Sequence, residues 1–269
     1  MALTVFQRDL VRLLAQNRKE GGESYVAGGS ALNTLLNAPR LSRDLDMFHD
    51  TREAVHAAFE KDFALLEQTG HQLEVEIDRD NFVEAVVRMG ADECRIEWTQ
   101  DSAFRFFPLA SHPDLGLTLH PFDLATNKIL ALVGRAEPRD WVDAIFCDRN
   151  LQPLGYLAWA AAGKDPGLNP LMIIEQAARS SRYTEAELAT VQFEGPRPSA
   201  VELATDWKDI IDEARRIIAI LPPAEVGKCV HMLDGELVNL FPEGLSIVID
   251  TGLIKFHSGT LRGAFPKVF

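Results

Sequence analysis

The sequence predicts an α+β protein: a mixed β-sheet of about five strands with helices packed on it, then a mainly helical C-terminal region and a small β appendage. Three observations predict it. Runs 72–77, 82–89 and 93–99 are rich in β-forming residues, and polar and apolar residues alternate through 44–47 and 94–98, the period of half-buried strands. A short apolar run, Tyr25-Val26-Ala27, ends in Gly28-Gly29-Ser30 and passes directly into a helix-like segment, Ala31 to Leu36. Beyond these runs apolar residues recur at helical spacing, and after Asn150 short helical blocks and a longer one at 200–221 follow before glycines multiply. That change of character divides the chain into a core domain, 1–150, and a C-terminal domain, 151–269.

Composition limits the function classes. With 269 residues, 46% of them hydrophobic and 25% charged, the chain is an ordinary globular protein with enough apolar material for a substantial core. Its three cysteines, Cys94, Cys147 and Cys229, are far apart and lack a Cys-x-x-Cys pair, so reduced, buried thiols in the cytoplasm are expected. No run reaches the roughly 18 apolar residues of a spanning helix, and the charged N-terminal segment does not read as a signal peptide, so no membrane partner is expected. The net charge of −13 weighs against non-specific nucleic-acid binding, which rests on clustered Lys and Arg. A local basic groove lined by Arg179, Arg182, Lys208, Arg215 and Arg216 stays compatible with it.

Taken in order, residues 3–19 read as an amphipathic helix with Val5, Phe6, Leu10, Leu13 and Leu14 inward, stopped by Gly21-Gly22. Strand 24–27 and the helix after the glycines follow, then Asn37-Ala38-Pro39 as a stop and strand 44–49. Thr51 caps a helix carrying Val55, Ala58, Phe59, Leu65 and Leu66 to Thr69-Gly70. Runs 72–77, 82–89 and 93–99, with turns at 78–81 and 90–92, form a meander. Phe104 to Pro108 reads as core and edge packing, and the segment between His112 and His120 as one further short strand. A helix with Leu124, Ile129, Leu130, Leu132 and Val133 inward ends at Gly134, and Pro138 opens the next. Helical blocks at 154–162, 170–179, 184–189 and 200–221 lead to a tail whose alternating runs, 245–249 and 253–257, suggest β structure.

The glycine turn is a candidate phosphate cradle. The first amides of a helix lack internal partners, the helix dipole favours an anion there, and glycine lets phosphate approach the main chain. Ser30 adds a hydroxyl donor. In Ser42-Arg43-Asp44-Leu45-Asp46-Met47 the aspartates alternate with apolar residues, so both carboxylates share one strand face, a pair suited to Mg²⁺. Singly, such a turn and such a strand edge are commonplace. Their order, turn, helix, loop and carboxylate strand, carries the signal. Glu97, sharing a face with Arg95, is the candidate third carboxylate, and Asp101 at the strand end competes for the role. Lys128 and Arg135, seven apart, share a helix face, as solvated cations also do. His112 and His120 lack zinc-ligand spacing.

This arrangement is that of nucleotidyltransferases, and the chain resembles the AbiEii/AbiGii-type nucleotidyltransferase toxin family. There Gly-Gly-Ser/Thr-Ala-Leu precedes Arg-x-Ser-x-Asp-(Leu/Ile)-Asp, matched here by Gly28, Gly29, Ser30, Ala31, Leu32 and by Arg40, Ser42, Asp44, Leu45, Asp46. A second family block, Lys-(Leu/Ile)-x-Ala-x-x-x-Arg-x-x-x-Arg-Asp-x-x-Asp, is matched at Lys128, Ala131, Arg135, Arg139, Asp140 and Asp143. The resemblance implies transfer of a nucleoside monophosphate from a nucleoside triphosphate to a hydroxyl of RNA, such as tRNA, or of protein, by a toxin with a cognate antitoxin. It implies Mg²⁺ or Mn²⁺ on Asp44, Asp46 and Glu97, catalytic roles for these three and Lys128, and nucleotide contacts from Gly28, Gly29, Ser30, Arg43, Lys128 and Arg135. Asp140 and Asp143 would orient the cations. Two other readings stay open: a nucleotidyltransferase acting on a cationic small molecule such as an aminoglycoside, and a non-catalytic nucleotide- or partner-binding protein, which the glutamate at 97 allows.

Overall fold

The structure is a computed structural model that describes residues 3–18, 23–180 and 183–267. The expected helix stop at Gly21-Gly22, the last residue of the first predicted helix (Lys19) and the groove residue Arg182 lie outside them. The chain divides into two compact units, Met1–Ala103 with Pro108–His120, and Phe104–Phe107 with Pro121–Phe269. The sequence-based boundary after Asn150 falls among the helices of the second unit.

In the first unit, α1 (Val5–Leu14) is opened by a capping box in which Thr4 and Gln7 each accept the other's backbone amide. It buries Gln7, Leu10, Val11 and Leu14, an i, i+3, i+4, i+7 stripe. Val5 lies off that stripe and is 65% exposed, which corrects its expected inward position. Then come β1 (Ser24–Ala27), α2 (Gly28–Leu35), β2 (Asp44–His49), α3 (Arg52–Gln68), β3 (Gln72–Arg79), β4 (Phe82–Met89) and β5 (Asp92–Gln100). Thr51 caps α3 through its hydroxyl, which accepts the Ala54 amide. After β6 (Phe104–Arg105), which belongs to the second unit, β7 (Ala110–His112) and β8 (Gly116–Thr118) complete the first.

The sheet has seven strands in the order β3-β4-β5-β2-β1-β8-β7. β3, β4 and β5 form the expected antiparallel meander, β5 runs parallel to β2, and β2 pairs antiparallel with β1. The single strand expected between His112 and His120 is instead half of a hairpin. Residues 113–115 turn on His112, whose Nδ1 accepts the amides of Asp114 and Leu115, and β8 adds to β1 in parallel. Alternation buries Leu45, Met47, Val83, Ala85, Val87, Ile96 and Trp98 on one face. There Phe59 of α3 meets Trp98 edge-on at 5.1 Å between centroids, and Asp62 accepts from Trp98 Nε1 (2.8 Å) and Arg18 (2.5 Å).

His49 lies on the same face, fully buried, with Nε2 3.0 Å from Ser24 Oγ and Nδ1 3.3 Å from the Thr99 carbonyl. Burial, followed by the nearby Arg18 cation, lowers its pKa from 6.5 to about 4. The unfolded chain therefore binds the additional proton between these values, and stability falls as pH falls through that window, by on the order of 3 kcal/mol. Denaturant titrations near pH 7 and near pH 4.5 should show this loss in the wild type and less of it in His49→Asn. Equal losses would place its source elsewhere.

The second unit contains α4 (Pro121–Arg135), α5 (Pro138–Asn150), α6 (Leu154–Ala161), α7 (Pro170–Ala177), α8 (Glu185–Leu188), α9 (Ala200–Ile220), β9 (Lys228–Met232), α10 (Pro242–Asp250), β10 (Ile254–Ser258) and β11 (Thr260–Leu261). β9 and β10 form an antiparallel ribbon and β11 pairs with β6. Tyr156, Trp159, Ile217, Leu221, Val230, Val238, Leu245 and Ile254 form a buried cluster that ties α6, α9 and α10 to the ribbon. Two expectations are corrected. α4 passes through Gly134, and the chain turns at Ala136 with φ 51°. Residues 245–249 are helical, because Pro242 opens α10 at its first position and turns Leu245 into the cluster.

The three cysteines are free and buried. Arg215 pairs with Glu175 and Asp212, and Arg216 with Glu243, so these two groove candidates are charge-compensated. Among the described residues no helix is long and apolar enough to cross a membrane.

Candidate active site

The register of the first unit assembles the carboxylates. β2 and β5 lie side by side with Asp44 opposite Arg95 and Asp46 opposite Glu97. Directly opposed residues share a face about 5 Å apart. Asp44, Asp46, Arg95 and Glu97 therefore occupy the face away from Met47 and Trp98. Asp101 lies four residues past Glu97, roughly 13 Å further along at strand rise, where its amide donates to the His49 carbonyl. The register brings Glu97, and not Asp101, beside Asp46.

The glycine turn meets the same row. β1 pairs with β2 so that Ala27 opposes Asp46, and α2 begins at the next residue with no side chain capping its first turn. Gly28 has φ +64°, and a Cβ built on it would fall 1.7 Å from Asp46 Oδ2. Glycine is required here on both counts, by the backbone angle and by the carboxylate packed against it. Ser30 is fully buried and donates its hydroxyl to the Ala27 carbonyl at 3.2 Å, so it stabilises the turn from inside. Arg43 is exposed at the entry to β2.

Glu84, Glu76 and Gln7, which the sequence reading did not single out, shape this face. Glu84 of β4 opposes Glu97, extending the row Asp46, Glu97, Glu84 across three strands. Arg95 bridges Glu84 (3.3 Å) and Glu76 (3.0 Å). Burial raises the pKa of Glu84, against the pull of Arg95 and with help from its hydrogen bond to Glu76. Gln7, buried in α1, donates to the Ser42 and Arg43 carbonyls at 3.1 and 2.9 Å and so pins the loop that feeds Asp44 into the sheet. Beside the aspartates, burial pushes the Cys94 thiol up to about 12, which keeps it protonated and unreactive.

In donor chemistry the face fits a hard divalent cation, although no three His, Cys, Asp or Glu side chains converge as a ready ligand set among the described residues. Mg²⁺ needs no such cage: it takes one or two carboxylates and fills its remaining positions with substrate phosphate oxygens and water. Asp44 and Asp46 place two carboxylates on one face of β2.

The second unit gathers Lys128 and Arg135 of the other motif around the buried carboxylates Asp140 and Asp143, whereas Arg139 pairs with Glu137 at 2.7 Å. Lys128 Nζ lies 3.0 Å from Asp140 Oδ1 and 3.3 Å from Asp143 Oδ2, with 7% of the lysine exposed. Arg135 grips Asp140 with two bonds, of 2.6 and 3.0 Å. Burial pushes the Asp140 carboxyl up, but Arg135 and Lys128 together outweigh it and leave its pKa below the usual range. A second buried ion pair, missed by the sequence reading, joins Lys164 to Asp123 at 2.9 Å. Asp123 also accepts the amides of Phe106 and Phe107, which fastens 104–107 to this unit.

Comparison with known proteins follows the same lines. Residues 12–216 match the family model described as nucleotidyl transferase AbiEii toxin, type IV toxin–antitoxin system. Among solved structures, the fold is similar to that of MenT4, a nucleotidyltransferase toxin from Mycobacterium tuberculosis H37Rv, with a TM-score of 0.55 at 18% identity over 82% of this chain and 84% of that one. It is also similar to JHP933 from Helicobacter pylori, with a TM-score of 0.54 at 15% identity over 78% of this chain and 91% of the other. No curated protein matches the sequence.

Proposed function

The chain belongs to the AbiEii nucleotidyl transferase toxin family, and we propose that it transfers a nucleoside monophosphate from a nucleoside triphosphate to a hydroxyl group of an RNA such as tRNA, or of a protein. The observation that carries this reading is the packing of the Gly28 turn against Asp46, with Glu97 in register beside it. Uncapped amides at the start of α2 receive phosphate oxygens, and glycine at 28 lets the triphosphate lie beside the carboxylates. Asp44 and Asp46, with Glu97, hold Mg²⁺ or Mn²⁺. Bound there, the metal would activate the acceptor hydroxyl and neutralise the charge that develops on departing pyrophosphate. Phosphoryl chemistry asks the protein chiefly for positioning and charge, which the fixed strands and the pinned 42–43 loop provide. By its motif position, Lys128 adds a cation for the nucleotide.

Expression of the chain in bacteria is expected to arrest growth, with relief by a cognate antitoxin and by Asp44→Asn. Incubating purified protein with each α-labelled nucleoside triphosphate and RNA, protein or aminoglycoside acceptors then sorts the substrate class. Arrest that persists with Asp44→Asn would separate toxicity from catalysis.

A further inference from the structure

The carboxylate face holds more acid than a substrate-bound Mg²⁺ uses. Asp46, Glu97 and Glu84 stand in register across β2, β5 and β4, each roughly 5 Å from the next, and Asp44 lies two residues before Asp46 on the same face. Mg²⁺ takes one or two carboxylates and needs its other positions for phosphate oxygens and water. A further carboxylate free to turn toward the ion would occupy a position that the triphosphate requires.

Glu84 is the member of this row that is tied elsewhere. It is 8% exposed, and among the described residues Arg95 is the cation it pairs with, at 3.3 Å. Arg95 stands opposite Asp44 in register, yet its second terminal nitrogen reaches past β4 to Glu76 of β3, at 3.0 Å. Glu76 in turn hydrogen-bonds Glu84. A carboxylate held between Arg95 and Glu76 is turned toward the β3 edge of the sheet and not toward Asp46. The rigid fork of a guanidinium suits this bridge, because its two terminal nitrogens meet two acids at once, whereas an ammonium is a single point charge. Groups behind the ligating side chains commonly set which donors a metal finds.

We propose that Arg95 is a positioning residue for the transfer reaction: by clamping Glu84 to Glu76 it withholds a surplus carboxylate from the metal and keeps the ion's remaining positions open to the phosphates of the nucleotide. The proposal rests on the assignment of the metal to Asp44, Asp46 and Glu97.

Mn²⁺ titrated into the full chain without nucleotide, and followed by electron paramagnetic resonance, tests the clamp independently of turnover. Asp46→Asn should weaken wild-type binding roughly tenfold or more. Binding unaltered in Asp46→Asn removes the metal assignment itself, and the proposal with it. Given that weakening, Glu84→Gln alone should change the Kd less than about threefold, and Arg95→Gln should tighten it on the order of tenfold. Combining Arg95→Gln with Glu84→Gln should cancel most of that gain. Transfer should move the opposite way, falling in Arg95→Gln and recovering in the double variant, a pattern that a merely structural loss does not give. Unaltered Mn²⁺ affinity in Arg95→Gln overturns the proposal, and so does a tightening that persists without Glu84, which would report only the loss of a nearby positive charge. Arg95→Gln leaves a buried carboxylate without its cation, so the variant can fail to fold. Wild-type crystals soaked in Mn²⁺ then decide: the ion on Asp44, Asp46 and Glu97 with Glu84 still on Arg95 supports the clamp, and Glu84 bound to the ion overturns it.

Discussion

Asp46→Asn is expected to lower nucleotide transfer on the order of a thousandfold while the chain remains folded. The substitution keeps the shape packed against Gly28 and removes a negative charge from a row in which Glu97 lies directly opposite. Like charges opposed across strands repel, so stability should stay within about 1 kcal/mol of the wild type or rise slightly. Transfer rates and denaturation midpoints of the two proteins check both halves. A folded variant with undiminished transfer would remove Asp46 from the chemistry.

Lys128→Ala is expected to behave differently. The lysine compensates Asp140 and Asp143, which are 0% and 1% exposed, and removing one partner of a buried ionic network costs about 3–5 kcal/mol. Arg135 continues to hold Asp140, and Lys128→Met combined with Asp143→Leu, which removes one of the two carboxylates facing the lost ammonium, should recover part of the loss. Assigned to the nucleotide by its motif position, Lys128 should also matter for binding. Titrating nucleotide into variants that remain folded separates the two roles. A loss of stability with no change in affinity would make Lys128 a structural residue only.

The elements that sequence reading recovers are those whose signal is local. The turn at Gly28-Gly29-Ser30, the alternation around Asp44 and Asp46 and the Thr51 cap each follow from neighbouring residues. Residues 245–249 misled because Leu245, Ile247, Val248 and Ile249 fit a strand as well as a helix, and the decision lay with Pro242 and the contact Leu245 makes across the unit. Glu84 was invisible for another reason. Its place opposite Glu97 is set by the register of two strands, and no spacing within one strand encodes its partner. Gln7 likewise reads as a polar residue on an amphipathic helix until its amide is seen on the loop before Asp44. Ser30, read as a phosphate donor, is turned inward because α2 begins two residues before it, which brings its hydroxyl onto the Ala27 carbonyl.

The most direct test of nucleotidyl transfer uses triphosphates labelled separately at the α- and γ-phosphates, with Mg²⁺ and the acceptor that responds. The site built from Gly28, Asp44, Asp46 and Glu97 predicts α-label on the acceptor and one pyrophosphate released for each label transferred. Transfer of the γ-label, or α-label incorporation that matches no pyrophosphate release, would contradict it.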